Sequence, residues 1–96
     1  MVTVITKFQP KDEYSAAELE DIFQKLMEET PMEKGYIAYE VLSTNNSPVT
    51  YYIIEKWASE TDLQNHAELV AKKGYAASAV NLLQNELNNI ILRTLN

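Results

Sequence analysis

Apolar and polar residues alternate from Val2 to Phe8 (VTVITKF), and β-branched side chains fill most of the segment, which predicts a strand stopping at Gln9-Pro10. The period then changes. Ala16, Leu19, Ile22, Phe23, Leu26 and Met27 recur at spacings of three and four, as in a helix with one buried stripe and a solvated Glu/Asp/Lys/Gln face. Ser15 and Glu18 stand at capping-box spacing at its start, and Pro31 ends it near Thr30 by restricting the residue before it. Alternation returns from Tyr36 to Ser43 (YIAYEVLS) and from Val49 to Trp57 (VTYYIIEKW). The turn-rich stretch from Thr44 to Pro48 joins them, predicting an antiparallel hairpin with a loop of four or five residues.

Ser59 is placed to cap a second helix, striped by Leu63, His66, Ala67 and Val70 and closed by Lys72-Lys73-Gly74. A further helix is predicted from Ala76 to about Leu87, with Val80 and Leu83 on the same face, and a last strand from Ile90 to Leu95. The order β-α-β-β-α-(α)-β predicts the α+β class, a ferredoxin-like split βαβ arrangement. Its four-stranded antiparallel sheet carries the helices on one face, in a single domain over residues 1–96. Strand parity adds a constraint. Tyr51, Ile53, Glu55 and Trp57 point one way and Tyr52, Ile54 and Lys56 the other, while Ile37, Tyr39 and Val41 oppose Ala38, Glu40 and Leu42. Both faces are apolar and the helices cover only one, so the other is expected to pack on a second copy, giving a homodimer with the sheets forming a dimeric α/β barrel.

Charge and composition narrow the function. Eight Lys+Arg against fourteen Asp+Glu give a net charge of −6, against what a nucleic-acid or anionic-membrane partner requires. There is no Cys to form a thiolate nucleophile or metal ligand, His66 is the one histidine, and two Gly supply no phosphate-cradling loop. The opening segment lacks the apolar core of a signal peptide, and no apolar run approaches the roughly 18 residues of a membrane span, so a cytoplasmic location is expected.

The polar side chains able to act inside such a fold are Tyr39, Tyr51, Glu55, Trp57, His66, Tyr75 and Arg93. Glu55, between Ile53 and Trp57 on one strand face, needs a partner. Arg93, Lys56 or a tyrosine hydroxyl could supply it in a purely structural pairing, and a catalytic role is the alternative. His66 lies on the apolar stripe of its helix, where it is either a satisfied core residue or a group that moves a proton to or from a bound ring hydroxyl. Trp57 is core or pocket wall, its flat surface suited to stacking an aromatic ligand.

Gly35, then Tyr39-Glu40-Val41, then Glu55-Lys56-Trp57, then Leu63 with His66 resemble the G-x-x-x-Y-E-V, E-x-W and L-x-x-H pattern of the antibiotic biosynthesis monooxygenase family. The likeness runs over essentially the whole chain. It implies a dimeric α+β barrel with a pocket between sheet and helices in each protomer, and oxygenation of a small electron-rich aromatic, quinol- or anthrone-like, by O2 without a cofactor. His66 would then be the proton acceptor or the anchor of the substrate oxygen, with Glu55, Tyr51 and Tyr39 polarising or orienting, Trp57 stacking the rings, and Arg93 available to stabilise negative charge. Tyr75 stands among the substrate-binding candidates. Many relatives carry a second histidine where this chain has Lys72-Lys73-Gly74-Tyr75. The haem-degrading branch shares the positions of Trp57 and His66 but has an asparagine in a first strand where VTVITKF has none. A dimeric module that binds a small molecule, or whose cavity is filled, is the reading from a different class.

Overall fold

β1 (Val2–Phe8) forms where the alternation places it and lies inside a four-stranded sheet of order β2-β3-β1-β4, every neighbouring pair antiparallel. A computed structural model of the chain describes residues 1–95. The remaining elements are α1 (Glu13–Glu29), a 3-10 turn at Thr30–Met32, β2 (Tyr36–Ser43), β3 (Tyr51–Trp57), α2 (Glu60–Lys72), α3 (Tyr75–Val80) and β4 (Asn88–Arg93). This is the α+β, ferredoxin-like arrangement, with the helices on one face of the sheet. Among the described residues no helix is long and apolar enough to cross a membrane.

Strict alternation decides which side chains meet the helices. Val2, Val4, Thr6 and Phe8 of β1 and Tyr51, Ile53, Glu55 and Trp57 of β3 are all buried, in register opposite one another. Leu19, Phe23 and Leu26 of α1 pack onto this face, with Phe23 edge-on to both Phe8 and Tyr51 at centroid distances of 5.0 and 5.2 Å. Each such side chain removed from water stabilises the fold by about 1.5–3 kcal/mol, so the face is the main source of cohesion.

Several boundaries differ from expectation. Helix α1 begins two residues before Ser15, because Asp12 is the N-cap and its carboxylate accepts the Ser15 N–H at 2.8 Å, so the Ser15–Glu18 capping box does not form. β3 starts at Tyr51 rather than Val49, and the hairpin loop accordingly spans residues 44–50. Inside it the Thr44 hydroxyl accepts the Thr50 N–H at 3.0 Å. A bulge between Tyr36 and Ala38 leaves Ile37 exposed while Tyr39 and Val41 keep the helix side, so Ile37 does not share their face. The helix expected to reach Leu87 stops at Val80. The chain turns there and is tied to the end of β1 by Lys11 N–H to Leu82 C=O at 2.9 Å and Gln84 N–H to Gln9 C=O at 2.8 Å. β4 begins at Asn88 and ends at Arg93, earlier than the expected Ile90–Leu95.

Candidate active site

α2 carries its stripe of Leu63, His66, Ala67 and Val70 across the sheet, and a cavity of about 260 Å³ lies between them. Phe8, Phe23, Leu26 and Ile53 make much of its apolar wall, and α3 contributes Tyr75, Ala76 and Ala79. The polar groups on the wall are Thr6, Tyr39, Glu55, His66, Tyr75 and Asn89. Ser59 sets the position of α2, its hydroxyl accepting the Asp62 N–H at 3.1 Å as the N-cap expected from sequence.

His66 is 5% exposed and stands between two carboxylates from different parts of the chain. Its Nδ1 lies 2.8 Å from Glu33 Oε1, and its Nε2 lies 3.5 Å from Glu55 Oε1. A carboxylate can only accept, so the short contact assigns the Nδ1 proton to the bond with Glu33 and leaves Nε2 turned toward Glu55. Glu55 in turn accepts the Trp57 Nε1–H at 2.9 Å. Burial pushes the Glu55 carboxyl above its ordinary range. The Trp57 N–H and the charge of His66 pull it down, and the negative charge of Glu33 pushes it up further. Tyr39 packs edge-on to His66 at 5.9 Å, and its phenol is also driven up, first by burial and then by the nearby Glu55 and Glu33 charges.

The partner of Glu55 is therefore neither Arg93, Lys56 nor a tyrosine, because the indole two residues along the same strand reaches it first. Trp57 is 0% exposed and is not part of the cavity wall. Its ring lies 4.6 Å from that of His66 at 33°, so it backs the imidazole and donates to Glu55, and offers no stacking surface to the cavity where one was expected. Tyr51 also points away from the cavity, donating its hydroxyl to Glu20 of α1. Arg93 shares a strand face with Ile91 and Asn89, opposite Val2, but is exposed at the sheet edge and does not line the cavity. His66, Glu55, Tyr39 and Tyr75 are the candidates that come together. Tyr75 is anchored by donating to Glu29, whose carboxylate also takes Lys73 Nζ at 2.8 Å.

Glu33 had no sequence signal. It sits in the connection between the 3-10 turn and β2, two residues before Gly35, and only the packing of that connection against α2 brings it to His66. Gly35 itself is held at φ +82°, and a Cβ there would land on the Asp62 carboxyl group at the start of α2, so this glycine lets the connection approach the helix closely. Among the described residues no group of three or more His, Asp or Glu side chains is arranged to hold a metal ion.

Fold and site thus define a ferredoxin-like α+β protein with a mostly apolar cavity whose polar end is a carboxylate-bracketed histidine. The chain matches the family model described as antibiotic biosynthesis monooxygenase over residues 1–78 and belongs to that family, which supports a monooxygenase-like function. A comparison with curated proteins yields no match. Solved structures agree on the fold. A conserved protein from Methanosarcina mazei Go1 is 26% identical with a TM-score of 0.88, the match covering 98% of this chain and 92% of that one. A structure described as an antibiotic biosynthesis monooxygenase is 18% identical with a TM-score of 0.87 and full coverage of both chains. A mutant of SnoaB, a cofactor-independent oxygenase from Streptomyces nogalater, is 15% identical with a TM-score of 0.82, covering 99% and 93% of the two chains.

Proposed function

We propose that the protein is a cofactor-independent monooxygenase that oxidises a small electron-rich hydroxyarene, of quinol or anthrone type, with O2. The observation that carries this reading is the Glu33–His66–Glu55 arrangement opening its histidine onto an apolar cavity. O2 reacts slowly with neutral closed-shell organics, and an arenolate or enolate is a far better electron donor than its conjugate acid. A site that removes one proton in a dry pocket therefore supplies what the substrate needs.

His66 Nε2 takes the ring-hydroxyl proton, and the imidazolium so formed is stabilised by Glu33 on one side and Glu55 on the other. Tyr39, whose phenol stays protonated, is available to donate to the substrate oxygen. For an anthrone-type CH2 the anion passes an electron to O2 and the radical pair closes a C–O bond to a peroxide. The O–O bond then breaks as the carbon loses its second hydrogen, so CH2 and O2 become C=O and water. Trp57 and Tyr51 take supporting roles in this scheme and Arg93 none. The SnoaB description supports the absence of a cofactor in the reaction.

Oxygen uptake with menadiol and with anthrone tests the reading. The expected result is consumption well above buffer that falls by a factor on the order of 100 or more in His66→Ala, the loss general acid–base catalysis implies. Uptake no faster than buffer, or undiminished in that variant, overturns it and leaves a binding module.

A further inference from the structure

We infer that the cavity is selective by charge: it admits a neutral hydroxyarene of one to three fused rings and turns away the carboxylated analogue of the same shape. This rests on the reading of the cavity as a hydroxyarene site and deepens it, because charge selection follows from how this particular wall is built.

Two carboxylates stand at the polar end of the cavity, and its one basic group, His66, is already bracketed by them. Glu55 is exposed to the cavity, Glu33 lies directly behind His66, and no Lys or Arg stands on the wall among the described residues. Lys73 is turned to Glu29, and Arg93 lies beyond the rim. A phenolic hydroxyl brings a donor to this end, which a carboxylate or imidazole nitrogen accepts. A ligand carboxylate brings no donor and a second negative charge, in a place where burial already disfavours the charge on Glu55. The free donors it would find are the neutral hydroxyls of Tyr39 and Thr6 and the amide of Asn89, since the Tyr75 hydroxyl is given to Glu29 and a protonated His66 is already shared between Glu33 and Glu55.

Size bounds the ring system. A closed apolar cavity of about 150 Å³ holds one benzene ring, and drug-sized ligands occupy roughly 300 Å³ and upward. At about 260 Å³ this cavity falls between them, with room for one to three fused rings. Its rim at β4 is marked by Ile91, which is 58% exposed and offers a place to change the charge without disturbing the core.

Isothermal titration of the full chain under nitrogen, with 2-naphthol, 2-naphthoate and 1-hydroxypyrene, tests the inference. Naphthol should bind tighter than either of the others by roughly tenfold or more, the scale of a like-charge penalty. Glu55→Gln should narrow the naphthol-to-naphthoate ratio several-fold, and Ile91→Lys should raise naphthoate affinity alone. The rim variant decides the matter even if Glu55→Gln does not fold. Equal or tighter binding of naphthoate, hydroxypyrene binding as tight as naphthol, a ratio unmoved in the folded variants, or no binding of any of the three overturns the inference. The two readings fail separately. Selective naphthol binding without oxygen uptake removes the monooxygenase assignment alone, and oxygen uptake with indiscriminate binding removes charge selection alone.

Discussion

His66 is held from two sides, and the two holds can be removed one at a time. Glu33→Gln preserves size and a possible acceptor but removes the charge at Nδ1, so the imidazolium formed during turnover loses a charged hydrogen bond. Such a bond is worth about 1.5–3 kcal/mol, so kcat should fall roughly ten- to a hundredfold with little change in KM. The acidic limb of the pH–rate profile should also move, a readout that simple loss of packing would leave in place. Glu55 makes a separate prediction about stability. Its folded pKa is raised, chiefly by burial, above the ordinary 4.5, so the native state retains a proton that the unfolded chain has already released. Its effect on stability is therefore most favourable below the ordinary value and is lost as pH rises from there through the raised one. Asp12, through the Ser15 N–H, and Glu29, through Lys73, are lowered and act in the opposite sense, stabilising above the ordinary carboxylate range and losing that on acidification. Urea unfolding of wild type and Glu55→Gln across about pH 5 to about pH 8 separates them. The stability of wild type relative to the variant should decline as pH rises, and a constant difference would contradict the burial of an ionisable Glu55.

At the scale of elements, β1 and β3 are legible because period-two patterning and burial coincide, and the first two helices because their stripes are unbroken, whereas β4 is exposed along its length and its ends are not marked by burial. The third helix was overextended for an identifiable reason. Leu83 and Leu87 continue the apolar spacing of Ala76 and Val80, yet Leu83 is buried beside its bridge to Pro10 and Leu87, still partly exposed, borders the cavity, neither from within a helix. An apolar residue records that it is buried but not which element buries it. Caps and packing give measurable consequences here. Ser59→Ala should cost about 1 kcal/mol by freeing the α2 N-terminus, and Phe23→Ala about 3–5 kcal/mol by emptying the contact with Phe8 and Tyr51. Gly35 and Gly74 share the same left-handed backbone, but nothing lies near a Cβ at Gly74. Gly74→Ala should therefore show only the left-handed penalty of about 1–2 kcal/mol, and Gly35→Ala appreciably more, together with lowered activity as the Glu33 connection is pushed off α2. Thermal unfolding of the pair checks the difference.

For the whole molecule, the sheet face away from the helices carries Ile5, Tyr52, Ile54, Leu42, Ile90 and Leu92 in register, with Leu42, Ile90 and Leu92 clearly exposed. We propose that a second copy packs on this face. Light scattering behind size exclusion should give twice the chain mass, and Ile54→Glu, which places a charge at the middle of the face, should shift the protein toward monomer; a wild-type monomer at micromolar concentration would contradict the proposal. The amino-acid sequence by itself determined the element order, the faces of β1 and β3 and the presence of His66 and Glu55 on surfaces that turn inward, since these follow from periodicity along the chain, whereas the bulge in β2 that displaces Ile37 does not. Only the tertiary structure decided what surrounds them. Glu33 reaches His66 across the fold, Trp57 backs the imidazole instead of lining the cavity, Tyr51 turns to Glu20 and Arg93 lies at the exposed edge of the sheet, because such contacts are set by distances between elements that no local pattern encodes.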